Sequence, residues 1–202
     1  MPSDLVSLAD ASRILGVSVE RVRQLVVAGE LPGARFGNAW AVPSDALVAR
    51  RHSSSAGGRP FGPLRAWREI VSGAVDLGRP GRYQRRACVV RCAMSKADVE
   101  SLPPSSEALI GGVEGAIEYG SSLSPPEGGD VYLSRRAFDR LPSLVAYVAD
   151  PLGSVRLRVV DDEAWDVIPS GEVAPRDAVA LDLLESADPR HWIAAEQLIG
   201  NG

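Results

Sequence analysis

Apolar positions open this chain at helical spacing and then give way to short alternating runs. Leu8, Ala11, Ile14 and Leu15 share one face of a helix over 8–15. Ser7 stands where an N-cap belongs, with Asp10 three residues on as a weaker capping box. Gly16 can take the positive φ that ends such a helix. Ser18 then caps a second helix that runs to about residue 28 and stops at Gly29. At about 100° per residue, Val19, Val22, Leu25 and Val26 fall on one side of it. Glu20 and Gln24 point the opposite way, with Arg21 and Arg23 on the flanks. Leu31-Pro32-Gly33 turns the chain, and 34–36 and 39–42 flank Gly37-Asn38 as a two-stranded wing. Phe36 or Trp40 would pack that wing on the helices. Pro43-Ser44-Asp45 opens a third helix over 46–51.

Two short helices joined by a turn of about three residues follow the helix-turn-helix plan, which lays its second helix in the DNA major groove. Arginine and glutamine can make paired hydrogen bonds to base edges there. Arg21, Arg23 and Gln24 are therefore the expected base or phosphate contacts, and Ser18 sits at the same helix end. Glu20 could accept from a cytosine amine or be a solvated charge. Arg35 and Asn38 would lie on the wing near the backbone, with Arg13 and Arg51 as further phosphate contacts. The plainer alternative is a three-helix module that packs against protein.

His52 to Pro60, rich in Ser and Gly, reads as a linker. The expected organisation is a winged domain over 1–52, a linker over 53–62, and a helical connector with a small α/β domain over 63–202. The fold class is α+β. Helices are expected over 63–73, 83–94 and 96–102, the last capped by Ser95. Strands are expected over 107–110, 129–133 and 145–148, and over 154–160, where Val155, Leu157 and Val159 alternate. Helices follow Gly111-Gly112 and Ser134, and two more, over 175–185 and 189–199, close the chain.

Composition changes the picture in one respect. The net charge of −4 conceals a division: residues 1–91 hold fourteen arginines against seven acids, and residues 92–202 hold eight basic residues against nineteen acids. A basic front is the footprint of a nucleic-acid binder. The acidic rear would face a protein or solvent. The arginines at 82, 85, 86 and 91 could meet DNA, an acidic partner or water. No apolar stretch reaches membrane-spanning length, and the first ten residues lack the pattern of a signal peptide, so a cytoplasmic protein is expected. Cys88 and Cys92 are four apart on an expected helix and read as reduced thiols; two such ligands do not make a zinc site. Neither a metal nor a cofactor is expected.

On Leu8-Ala9-Asp10-Ala11, Leu15-Gly16-Val17-Ser18, Arg21-Val22-Arg23-Gln24, Gly29-Glu30-Leu31-Pro32, Gly37, Trp40 and 43–47, the front segment resembles the excisionase/MerR-like winged helix-turn-helix family. The rear is similar to the C-terminal part of AbiEi-like abortive-infection antitoxins. That likeness rests on Arg59-Pro60 with Ala66-Trp67, the 109–112 to 119–120 block, 130–133, 153–160, and 174–175 through 181–190. The resemblances imply a repressor that binds operator DNA as a homodimer and neutralises a nucleotidyltransferase-like toxin partner. Two other readings stay open. One is a regulator that senses a small molecule. The other is a nucleotidyltransferase fused to a DNA reader, with Gly111-Gly112 beside triphosphate and Asp130 or 161–163 as metal carboxylates; that pattern lacks a second carboxylate two residues after Asp130.

Overall fold

The computed structural model describes residues 4–37, 39–54, 59–100, 102, 107–141 and 147–200. The described residues form an α+β fold with two sheets. The first sheet has three antiparallel strands, β1 (Leu5–Ser7), β2 (Ala34–Phe36) and β3 (Ala39–Pro43), in the order β1-β3-β2. The expected two-stranded wing therefore gains β1, which sets Val6 opposite Val42. Three helices complete this unit: α1 (Leu8–Leu15), α2 (Val19–Val27) and α3 (Ser44–Ser54). Ala11, Val22, Leu25, Leu31, Val42 and Leu47 form its core, with Trp40 packed against them. Phe36 is 54% exposed, so Trp40 is the wing residue that anchors to the helices.

The second sheet runs β5-β6-β8-β4-β7, from β4 (Cys88–Ala93), β5 (Ala108–Ile110), β6 (Asp130–Ser134), β7 (Val148–Ala149) and β8 (Val155–Val160). Strands β6 and β8 are parallel and the other pairs antiparallel. Around it lie α4 (Pro63–Val71), α5 (Lys96–Glu100), α6 (Gly112–Glu118), α7 (Arg135–Arg140), α8 (Asp162–Trp165), α9 (Arg176–Leu184) and α10 (Pro189–Gly200), with a 3₁₀ turn at Pro80–Tyr83. Both faces of the sheet are covered. Val131, Leu133, Val155, Leu157 and Cys92 pack on one side with Ala137 and Leu141. Tyr132 and Val160 pack on the other with Trp67, Tyr83 and α9. Helix α9 is buried at every residue from Ala178 to Leu184, the charged Asp182 among them. It packs against α6 and α10.

Several expectations are corrected. Residues 88–93 are a central strand, not the last turns of a helix over 83–94. Only Cys92 of this strand is buried, no clean alternation marks it, and its apolar run fits either period. Cys88 and Cys92 share one side of that strand; both are free, and burial pushes the Cys92 thiol up to about 11. The third helix continues to Ser54, two residues into the stretch read as linker, and residues 55–58 lie outside the described residues. So do residues 145 and 146 of the strand expected over 145–148, which begins here at Val148. Among the described residues no helix is long and apolar enough to cross a membrane.

Candidate nucleic-acid interface

Local chemistry sets the two helices of the front unit. The Ser7 hydroxyl accepts from the Asp10 amide and donates to the Asp10 carboxylate, so the weak capping box forms. Gly16 ends α1 at φ 67°. The Ser18 hydroxyl accepts from the Arg21 amide at 3.1 Å and caps α2. That commitment makes Ser18 a positioning residue for the helix.

Helix α2 buries Val22, Leu25 and Val26 and turns Glu20, Arg21, Arg23 and Gln24 to solvent. Val19, expected on the apolar side, is 46% exposed. It is the first residue of the helix, and its Cβ leans back past the N-terminus, where no further turn covers it. Ile14 is 40% exposed for a different reason. It stands roughly 100° around α1 from Leu15, at the edge of the apolar stripe.

Arg23 is not idle in the free protein. Its Nε and Nη2 donate to the two carboxylate oxygens of Glu20 at 2.9 and 3.0 Å. The Arg23 hydrogen bond holds the Glu20 carboxyl below the usual range, so Glu20 stays ionised. Arg13 is paired in the same way with Asp10. Arg35 is exposed on the wing, and its Nε donates to the Gly37 carbonyl at 2.9 Å. Arg51 is exposed on α3, and Asn38 lies outside the described residues. The structure thus brings Arg21, Arg23 and Gln24 together on one exposed helix face and leaves Arg13, Arg35 and Arg51 on neighbouring elements.

The join to the rest of the chain uses residues that sequence reasoning passed over. Glu30, just after α2, accepts from Arg85 at 2.8 Å and meets Arg50 of α3 at 3.4 Å. Arg50 Nη1 also donates to the Glu30 carbonyl at 2.8 Å. Asp45, in the first turn of α3, accepts from Arg91 of β4 at 2.8 Å. Glu30 lay within a run read only as a turn, and no local signal ties it to a partner 55 residues away.

The rear acids also differ from expectation. Asp182 is fully buried and takes Arg86 Nη2 at 2.6 Å, the Tyr132 hydroxyl at 2.6 Å and the Gly112 amide at 3.0 Å. Arg158 donates to both oxygens of Asp130 and to Glu185. Asp130 and Asp182 are therefore interior, not acids facing a protein or solvent, while the Glu185 side chain is 30% exposed. Arg86 is only 2% exposed, so it is no solvated face either, whereas Arg82 stacks on the Phe61 ring at 4.3 Å. The Asp161–Glu163 stretch opens α8, where Asp162 accepts from the Arg136 amide at 3.1 Å. Among the described residues no group of three or more His, Cys, Asp or Glu side chains could hold a metal ion.

Residues 5–52 match the family model of a helix-turn-helix domain. That segment is a helix-turn-helix domain, the class its caps, exposed basic helix and wing define. No curated protein and no solved structure matches the chain, and the antitoxin resemblance of the rear part finds no support among known proteins.

Proposed function

We propose that the protein is a sequence-specific DNA-binding repressor that reads an operator with α2. The observation that carries this reading is the sorting of that helix: Val22, Leu25 and Val26 are buried while Arg21, Arg23 and Gln24 stand clear of the protein body. Arg21, Arg23 and Gln24 contact bases or adjacent phosphates, and Arg35, Arg13 and Arg51 contact backbone. One such module buries little surface, so a homodimer reads two half-sites about 34 Å apart or a multiple of that. Selection of operator from a random duplex library, followed by binding isotherms at several salt concentrations, tests it. A steep salt dependence is expected, and Arg21→Ala with Arg23→Ala should weaken binding about ten-fold or more. Isotherms indifferent to both changes overturn the reading.

In the same proposal the rear part is the partner-binding half of an antitoxin and has no catalysis of its own. Its support is the sequence resemblance, together with the pairing of Asp130. Both oxygens of that carboxylate are held by Arg158, which neutralises the charge a nucleotidyltransferase would offer to metal. Co-purification of the full chain with the product of the adjacent gene tests the partner. Metal-dependent transfer from a nucleoside triphosphate, lost in Asp130→Ala, would overturn the non-catalytic part.

A further inference from the structure

A cleft of about 580 Å³ opens on the sheet face that carries Asp130 and Arg156, and Arg91, His191, Gly112 and Asp45 help to line it. The register of the sheet puts an unusual pair of residues there. Arg156 of β8 is directly opposite Arg91 of β4, and on its other side it is directly opposite Asp130 of β6. Directly opposed residues have Cβ atoms about 4.5–5.5 Å apart, and like charges so placed destabilise a sheet.

Four carboxylates line the cleft, Asp45, Glu127, Asp130 and Asp182, yet donors of both guanidinium groups stay unused. Asp130 meets Arg156 at 3.8 Å, but both its oxygens are already engaged by Arg158. Among the described residues Arg156, whose side chain is 30% exposed, makes no side-chain hydrogen bond and no other ion pair. The Arg91 side chain is only 8% exposed. Its Nη2 reaches Asp45, while its buried Nε has no hydrogen-bond partner. A buried donor without an acceptor, as at Arg91 Nε, is costly and rare. The electrostatics agree. Burial lowers the affinity of Arg156 for its proton; Asp130 and, less, Glu185 offset part of this, and the Arg91 and Arg158 charges add to the lowering. His191 is also held below its ordinary value, by burial first and by Arg156 and Arg190 after the opposing effect of Asp188.

We propose that this cleft binds a small phosphate- or carboxylate-bearing molecule, whose anionic group is held between the Arg156 guanidinium and Arg91 Nε. A planar guanidinium fork suits both anions. Arg91 is also the partner of Asp45 on α3, so an anion in the cleft shares that arginine with the helix-turn-helix domain. Occupancy thereby shifts operator affinity, a consequence that rests on the DNA-binding reading above.

Calorimetric titration of the full-length protein with inorganic phosphate, pyrophosphate and citrate tests the site without DNA. At least one probe should bind at about millimolar Kd or tighter. Arg156→Gln should weaken it roughly ten-fold, as loss of a charged hydrogen bond does. In wild-type protein the Arg156 and Arg91 Nε–Hε NMR resonances should move saturably with the same probe, which requires no variant to fold. The proposal is overturned if none of the probes binds, if a folded Arg156→Gln protein binds as wild type, or if those two resonances stay still. A probe that binds and moves them while operator binding fails leaves the site standing and removes the repressor reading. Operator binding without any probe binding does the reverse.

Discussion

Gly29 and Cys88 meet where the helix-turn-helix domain rests on the rest of the chain. A Cβ on Gly29 would stand 2.4 Å from Cys88 Sγ, and Gly29 itself holds φ at +68°. Two separate constraints therefore require glycine at the end of α2. Gly29→Ala should destabilise the protein by about 2–4 kcal/mol, from left-handed strain together with overpacking. Cys88→Ala removes the sulfur but not the strain. Urea melts of the double variant should recover the clash and leave about 1 kcal/mol of the alanine penalty. Strict additivity of the two single changes would show that the domains do not press together here.

Glu30 is the acid on which two arginines from different parts of the chain converge, Arg50 from α3 and Arg85 from the connector. Arg50 is largely buried, and burial lowers its affinity for its proton while Glu30 opposes that effect. Glu30→Ala removes the carboxylate that Arg50 and Arg85 share and leaves Arg50 its bond to the residue-30 carbonyl. The expected cost is about 2 kcal/mol, below that of breaking a fully buried pair, because Arg50 keeps the carbonyl contact and Arg85 is half exposed. Faster limited proteolysis of the full chain should accompany the lower melting temperature. Unchanged proteolysis and melting would mean that the pair does not hold the join.

Much of the front unit was legible because its signals are local. Ser7, Ser18, Ser95 and Ser134 each accept from the amide three residues on, as cap residues do. Gly16 and Gly29 end helices, and Gly37 turns the wing, each at positive φ. The exposed face of α2 followed from periodicity alone. The strand at Cys88–Ala93 did not, because its CVVRCA run lacks the alternation of apolar and polar residues that marks a strand. The buried network was invisible for another reason. Arg86 and Asp182 are 96 residues apart, and a charge count treats both as surface. The cleft arginines share that defect: only the pairing of β4 with β8 brings Arg91 and Arg156 together.

That buried network makes acid stability testable. Burial pushes the Glu185 carboxyl up, but Arg158 and Arg86 more than reverse this and hold it at about 2. A folded value below the unfolded value of about 4.3 favours folding above that pH, and the contribution is lost as pH falls toward 2. Asp182, raised by its burial, works in the opposite sense. Chemical denaturation from pH 6 to pH 2 should therefore show a fall in stability below about pH 4.5 that is shallower in Glu185→Gln. Asp182→Ala, which leaves Arg86 and Arg158 short of a partner, should cost about 3–5 kcal/mol at neutral pH. An identical acid limb in Glu185→Gln would show that another carboxylate governs it.

Glu20 and Arg23 form a clasp in the middle of the surface that would face DNA. Arg23 spends two donors on Glu20, and both side chains are more than half exposed. An exposed pair of this kind holds weakly, so a phosphate or base edge can take Arg23 from it. Glu20 then remains as a negative charge at the duplex, which opposes binding to any sequence unless a cytosine amine meets it. Glu20→Gln frees Arg23 and removes the repulsion together. Affinity for a random duplex should rise a few-fold, with a salt slope steeper by about one phosphate contact. Preference for operator over random duplex should fall, because the charge that penalised wrong sequences is gone. Fluorescence anisotropy across a salt series, on both duplexes, reads all three quantities. A variant that matches wild type in affinity, slope and preference would place Glu20 outside the interface and turn the α2 contact toward Arg21 and Gln24.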